Sequence, residues 1–391
     1  NSTIYQVIIE NNIIHLKKQI TNIPAIKDFT CIAYDENSRN LAFGTNTEGF
    51  FLLYKNHIKN QIVKTDNNKS ETNTINIIYS LIQIDSNKIL STNGYIYKTN
   101  SSNPVLYKQS NHLFNKDVDI SRRLLYKDLE NNIWSMGNNL KFINKYDSSF
   151  QVIGKYKNPE KSTITGMFES ANKKFYLHSP NAIFVLEKDS IRQLFQVPNE
   201  IFTPKYEINR LKSFNDNTIL IATSLGLFSS DLNFKRILLC KNSPKVNIRE
   251  IYQLKDSSFI LGTYGDGIYV FKNNQFISLP LDKEKGLITA HTFLRDSKGY
   301  LWITSNNGLF QVMESDIIDF SNHKSQFIYY YKICTTNGLL TNEFNGGCSS
   351  PSAFTKDGTI FFPSMKGVVM FNPNEIKPML PTSRVNIHCN F

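Results

Sequence analysis

One pattern recurs eight times along the 391 residues, and it confines the chain to a narrow set of architectures. Each copy holds an apolar run, a polar turn with Asp, Asn or Gly, a second apolar run, a short Gly or Asn turn, and a third run. The clearest copies are IYQLKDSSFILGTYGDGIYVFKNNQF (251–276) and TFLRDSKGYLWITSNNGLFQV (292–312). The others occupy 31–56, 79–100, 124–147, 167–190, 210–231 and 352–373. The end of the second run serves as a ruler. It falls at Thr45, Thr92, Met136, Ser179, Thr223, Thr263, Ser305 and Ser364, all small and hydroxylated except Met136. The spacings are 47, 44, 43, 44, 40, 42 and 59. Six similar intervals in succession mark one supersecondary unit reused, and the long seventh interval predicts an insertion around 314–350.

The runs are four to six residues long, rich in Ile, Phe, Tyr and Leu, and bounded by turn residues, so each unit reads as strands. Gly49, Gly94, Gly226, Gly267, Gly308 and Gly367 follow the second strand, where a hairpin needs positive φ. Asn139 and Asn181 stand there in the remaining units, and Asn is expected to take the same conformation. No stretch sustains helical periodicity, which excludes helical solenoids. A four-stranded unit of this length, repeated, predicts an all-β chain, a β-propeller of seven or eight four-stranded blades. One blade cannot cover its own apolar faces; a ring of them buries each against the next.

The ends leave the blade number open. TIYQVIIENNIIHL (3–16) matches the outer half of a blade, GIYVFKNNQFISL (267–279). It either completes the last blade or is the remnant of an earlier one. The polar stretch KNQIVKTDNNKSETNT (59–74) reads as a hinge between the first repeat and the next seven. The propeller is expected over 1–376, as eight repeat kernels plus the N-terminal half-unit. Residues 377–391 are expected to be an exit linker and the first strand of a following sandwich.

Composition narrows the function classes. Apolar residues make up 40% and charged residues 20%, enough for a sizeable core. No run of 18 apolar residues occurs, and NSTIYQ opens no signal peptide, so the chain reads as cytoplasmic or as a mature fragment. The net charge of +11 is scattered, with Lys17-Lys18, Arg122-Arg123 and Lys173-Lys174 the tightest clusters. A nucleic-acid footprint would be a patch or stripe, so no nucleic acid is expected as partner. The five cysteines, Cys31, Cys240, Cys334, Cys348 and Cys389, show no CxxC spacing, and the seven histidines form no HxH or HExxH. Neither a disulfide framework nor a metal site is expected, and no cofactor.

LRDSKGYLWITSNNGLFQV (294–312) and LKDSSFILGTYGDGIYVF (254–271) resemble the two-component-regulator propeller repeat, roughly D-x-x-G-x-L-W-I-G-T-x-x-G-L-x-x-[YF]. NGLLTNEFNGGCSSPSAFTKDGTIFFPSMKGVVMFNPNEIKP (337–378) resembles that family's closing blade, with its N-E-F-N element. LPTSRVNIHCNF (380–391) is similar to the first strand of the Y_Y_Y sandwich that follows. Several copies depart from the pattern: tryptophan stands only at Trp134 and Trp302, and the Gly-Thr pair only at Gly44-Thr45 and Gly262-Thr263. The resemblance implies the periplasmic, ligand-sensing part of a two-component (hybrid) histidine kinase. It implies a glycan fragment or other small polar ligand, and a sandwich passing the signal through one membrane helix to a dimeric kinase. Kinase, response-regulator and DNA-binding modules would lie outside this chain.

No catalytic constellation emerges: there is no GxSxG, no P-loop, and the glycines of 262–267 sit between strands and open no helix. In a propeller the loops after the second strands gather on one face near the central channel. That geometry nominates Asn46, Asn93, Asn138, Ser179, Ser224, Tyr264, Asp266, Asn306 and Lys366 as ligand-binding residues. Asn and Ser offer donors and acceptors for sugar hydroxyls, and Tyr a face for stacking. The same residue types also populate turns for their own backbone bonds. Tyr264 and Asp266 rank first. His291 and Arg295, at the two ends of one inner strand, are weaker candidates. Trp134 and Trp302 are expected between blades, and Phe344 in the core. An enzyme, a lyase or glycoside-active propeller, would need a carboxylate pair or a His–carboxylate pair on the channel. Only Asp266 and Glu48 lie in or beside the nominated loops. A purely structural, protein-binding propeller is the other alternative.

Overall fold

The strand TILIAT (Thr218–Thr223) shows why this sequence builds a ring. Its apolar residues do not alternate with polar ones, because both faces are covered. Ile219 and Ile221 pack into the core shared with the preceding sheet, while Leu220 and Ala222 pack toward the following one. The computed structural model describes residues 2–10, 13–23, 28–35, 40–53, 56–64, 74–101, 103–106, 124–136, 141–159, 164–170, 172–198 and 206–376. Two units divide the chain, Asn1–His57 and Ile58–Phe391.

The larger unit holds seven four-stranded antiparallel sheets. Their first strands are Leu81–Asp85, Leu125–Lys127, Gly166–Glu169, Ile208–Asn215, Ile248–Gln253, Thr292–Arg295 and Ala353–Phe354, and they define blades 1 to 7. Seven apolar clusters bind these sheets in a cycle. One joins blades 1 and 2, and the next five join each following pair. The last returns from blade 7 to blade 1, where Phe361, Val368 and Met370 meet Ile78, Leu81, Ile89 and Tyr97. The chain is a β-propeller, and the ring has seven blades.

Blade 7 takes its outer strand from the other end of this unit. Lys59–Gln61 pairs antiparallel with Gly367–Phe371, Gln61 opposite Val368 and Lys59 opposite Met370. The stretch read as a hinge therefore begins inside the ring; its remainder, 65–73, lies outside the described residues. KNQ looks unlike a strand because it is short and outermost, with Lys59 exposed and only Gln61 buried. The N-terminal hairpin does not complete this blade. Ser2–Glu10 and Ile13–Ile23 form their own two-stranded sheet in the smaller unit. The first repeat kernel is a three-stranded sheet in that same unit, Phe29–Asp35, Asn40–Thr45 and Phe50–Leu53. The exit linker and sandwich strand expected at 377–391 lie outside the described residues.

Two hydrogen-bonding devices, one of the backbone and one of side chains, shape the hairpins. After the inner strand, Asp128, Ser170, Leu254, Asp296 and Thr355 each donate their N–H to the carbonyl four residues on, at 2.8–3.0 Å. The third residue after each takes positive φ: Asn131, Lys173, Ser257, Gly299 and Gly358. After the second strand, the ruler hydroxyls close the turn. Thr223 donates to the Gly226 carbonyl at 2.9 Å, Thr263 to Gly267 at 2.7 Å, and Ser364 to Gly367 at 3.0 Å. These glycines take φ of 122°, 79° and 91°, as the sequence predicts. Asn181 departs from that expectation and does not take positive φ. Its Oδ1 accepts from the Ser179 hydroxyl at 2.8 Å, and that hydroxyl accepts the Ala182 N–H, so side chains tie this turn. Asn139 lies outside the described residues.

The insertion after Met313 contains a helix that the sequence reading lacked, α1 (Glu314–Ser321). With eight residues and only Glu314, Ile317 and Ser321 buried, it is too short to show a helical period. Trp302 and Trp134 are fully buried. Trp302 lies 4.5 Å from Phe371 of blade 7 and Trp134 lies 4.7 Å from Phe175 of blade 3, centroid to centroid.

Candidate functional site

Inner strands one repeat apart lie side by side, so residues at their starts meet on one face of the ring. There Asn209 of blade 4 and Arg249 of blade 5 come together. Arg249 Nη1 donates to Asn209 Oδ1 at 3.2 Å and to Glu207 Oε2 at 3.1 Å. Asn209 Nδ2 reaches Asn247 Oδ1 at 3.0 Å and the Ile248 carbonyl at 2.7 Å. The guanidinium lies over the Tyr264 ring, 5.4 Å from its centroid, and Arg249 Nε is buried without a hydrogen-bond partner. Tyr264 is 49% exposed, which leaves much of its surface open to solvent.

The cluster continues into blade 6. The His291 ring lies 6.1 Å from that of Tyr264. His291 Nε2 lies 2.6 Å from Asn306 Oδ1; a carbonyl oxygen accepts, so the Nε2–H tautomer donates. Burial pushes the His291 pKa down; the bond to Asn306 opposes this, and the Arg249 charge adds to it. The imidazole is therefore neutral at pH 7. Asp266 stands exposed beside Tyr264, its own N–H donated to the Thr263 hydroxyl at 3.0 Å. This face thus offers an aromatic ring, a guanidinium paired with the Glu207 carboxylate, and amides in direct contact with one another, with the exposed Asp266 in the same turn as the ring, a set that can grip a polar ligand with an apolar face.

Two nominated residues, Tyr264 and Asn306, converge here with His291, and Asp266 lies two residues from Tyr264 in the same turn. Ser224 lies at its edge, its hydroxyl accepting the Glu207 N–H at 2.8 Å. Asn93, Ser179 and Lys366 belong to other blades. Asn93 is buried in blade 1, where Nδ2 donates to the Ile75 carbonyl at 2.9 Å and to the Tyr97 hydroxyl at 3.0 Å. Ser179 is buried in its turn with Asn181. Lys366 is exposed in the corresponding turn of blade 7. Asn46 is exposed in the smaller unit, and Asn138 lies outside the described residues. Arg295 occupies the opposite end of its strand. It pairs with the buried carboxylate of Glu314 and lies 5.7 Å from the Tyr252 ring centroid.

Arg249, Glu207, Asn209 and Asn247 escaped the sequence reading, which drew its candidates from the turns after second strands and, on inner strands, weighed only His291 and Arg295. Repeat arithmetic could have found them, since Asn209 and Arg249 stand 40 residues apart, one repeat length.

A second set of contacts gathers around the axis. The segment after Asn342 runs from blade 7 across to blades 1, 3 and 4. Asn345 Nδ2 donates to the Ile78 carbonyl at 2.7 Å, the Cys348 thiol to Tyr79 at 2.9 Å, and the Ser349 hydroxyl to Thr165 at 3.4 Å. Arg210 Nη1 donates to the Ser349 carbonyl at 3.3 Å. Phe344 is buried between blades 6 and 7. Among the described residues, no three His, Cys, Asp or Glu side chains gather as a metal site would require.

No family model matches the chain, and no curated protein matches it in sequence. Among solved structures it is similar to the extracellular domain of a hybrid two-component system from B. thetaiotaomicron. Identity is 17% and the TM-score 0.60, over 92% of this chain and 47% of that one. The chain thus spans about half the length of that structure. It is also similar to virginiamycin B lyase from Staphylococcus aureus, at 12% identity and a TM-score of 0.55, over 81% of this chain and 98% of that one. The WD40 propeller domain of Doa1 matches at 11% identity and a TM-score of 0.50, over 80% and 95%. At such identities the likeness is one of fold, and the fold common to all three comparisons is the β-propeller.

Proposed function

We propose that this chain is the extracytoplasmic, ligand-sensing region of a two-component sensor of the regulator-propeller type. Its ligand is a small polar molecule, an oligosaccharide foremost, held at the Tyr264 face. The observation that carries this reading is the convergence of Tyr264, Arg249, Asn209, His291 and Asn306 from three neighbouring blades. An exposed tyrosine flanked by amides and a guanidinium matches the alternating apolar and hydroxylated faces of a sugar. The repeat pattern and the likeness to an extracellular two-component domain support the placement. Binding would favour one of two receptor states, and the full protein would signal through a membrane helix, as a dimer.

The enzymatic alternative has less behind it. The described part of this face carries no carboxylate pair: Glu207 is committed to Arg249, and His291 is buried and neutral against Asn306. Calorimetric titration with a panel of neutral and acidic oligosaccharides tests the sensing reading. Binding by the wild type and its loss in Tyr264→Ala, with the fold intact by circular dichroism, is the expected result. Absence of binding across the panel, or turnover abolished by Asp266→Asn, would overturn it.

A further inference from the structure

Among the described residues, the inner strand of blade 4 carries two cations, Arg210 and Lys212, and Lys212 is left without a hydrogen-bond or ion-pair partner. Arg210 and Lys212 flank the core residue Leu211 on the inner strand of blade 4, so both project away from the blade 3–4 core. Glu250, on the inner strand of blade 5, answers them alone. Its Oε2 accepts Arg210 Nη2 at 2.5 Å and its Oε1 accepts the Ile251 N–H at 3.1 Å. Arg210 is further committed to the Ser349 carbonyl, while its Nε is buried without a partner.

The Lys212 ammonium feels the fields of Glu250 and Arg210, yet makes no hydrogen bond or ion pair with any described residue. Burial lowers its pKa, Glu250 opposes that, and Arg210 adds to it. Two carboxylates that share the surroundings of Tyr126 with Arg210 are already engaged. Glu169 Oε2 accepts the Leu129 N–H at 3.0 Å. Asp128 Oδ2 accepts the Trp134 indole at 2.9 Å and lies 3.6 Å from Lys145. Two cations therefore face one carboxylate in surroundings partly withdrawn from water, where an unpaired charge is costly.

We propose that a small oxyanion binds at Lys212 beside Arg210, on the inner strand of blade 4. The chemistry is that of a carboxylate or of a tetrahedral phosphate or sulfate group. Lys212 supplies a point charge with three donors, and the neighbouring Arg210 guanidinium adds its positive charge. The site is distinct from the Tyr264 cluster and does not rest on the sensing reading.

The test is thermal unfolding and calorimetric titration of the full chain with sodium phosphate, sulfate and acetate, at ionic strength held constant with chloride. The variants are Lys212→Met and Lys212→Arg. A saturable rise in melting temperature is expected for the wild type with at least one anion. A stronger response to phosphate and sulfate identifies a tetrahedral ligand, and a stronger response to acetate a carboxylate. Lys212→Arg should keep the response. Lys212→Met should weaken apparent affinity about ten-fold or more, since a charge-assisted contact is removed. It should also melt above the wild type in anion-poor buffer, because the unpaired charge is gone. A wild type unresponsive to all three anions, or an equal response in all three proteins, would overturn the proposal.

Discussion

Trp302 donates its indole N–H to Asp296 Oδ2 at 2.9 Å, and Trp134 does the same to Asp128 at 2.9 Å. In each case the other carboxylate oxygen holds the hairpin turn. Asp296 Oδ1 accepts the Lys298 and Tyr300 N–H groups at 2.8 and 3.0 Å, and Asp128 Oδ1 accepts those of Glu130 and Asn132 at 3.1 and 2.7 Å. One carboxylate thus fixes the turn and anchors the large side chain that bridges to the next blade. Asp296→Ala leaves three donors unpaired around a buried site, and bonds to a charged acceptor are worth about 1.5–3 kcal/mol each in net stability. A loss of about 3 kcal/mol is expected, with a shift in tryptophan emission as Trp302 loosens, measured by denaturant unfolding and fluorescence. Asp296→Asn should lose less, because the amide oxygen still accepts.

How far the fold was legible follows from such repeated bonds. Thr223, Thr263 and Ser364 stand at equivalent positions of their repeats because each hydroxyl closes the same turn. The count of seven was not legible, because the strand that decides it is KNQ at 59–61, three polar residues recognisable only through their partner at 368–370. The candidate site was half legible. Tyr264, Asp266 and Asn306 announce themselves as turn residues. Arg249 and Asn209 look like ordinary strand positions until two consecutive repeats are laid side by side.

Gly166 is opposite His178 in blade 3, and a Cβ at 166 would come within 2.0 Å of His178 Nε2. The imidazole is buried and cannot swing away. Gly166→Ala should therefore destabilise by about 2 kcal/mol, within the range for overpacked cores. The double variant Gly166→Ala/His178→Ala should recover part of the loss its two single changes would sum to, since the clash disappears with the ring. Urea unfolding of the four proteins checks this; strictly additive losses would refute the steric account.

His178 also sets a pH dependence. Burial first, and then the Arg210 charge, push its pKa from 6.5 down to about 3, while a bond with Ser179 opposes them. The native state holds the neutral ring, and the unfolded chain takes up a proton as pH falls below 6.5. The stabilising contribution is therefore complete above pH 6.5 and is lost progressively as pH falls toward 3. The slope is about 1.4 kcal/mol per pH unit for each such group. His291, lowered in the same direction, adds to it. Urea midpoints measured from pH 7.5 to 5 should fall, and His178→Gln should flatten the profile.

The outer strand of blade 7 makes the last prediction. Ile58 and Val63 are buried, and Gln61 is 1% exposed, with Nε2 donating to the Lys98 carbonyl at 2.9 Å. Asn60 bridges to the backbone of the insertion, donating to Gly338 at 2.7 Å and accepting from the Leu340 N–H at 3.2 Å. Residues 58–63 therefore join blade 7 to blade 1, although they precede every other strand of the ring. A chain beginning at Ile58 should keep the cooperative unfolding of the ring, since the smaller unit contributes none of its strands. A chain beginning at Lys64 loses three ladder pairings and two buried apolar side chains, each side chain worth about 1.5–3 kcal/mol. It should unfold at distinctly lower denaturant, and amide exchange should rise first along Gly367–Phe371. Equal stability of the two truncated chains would mean that the ring holds without this strand.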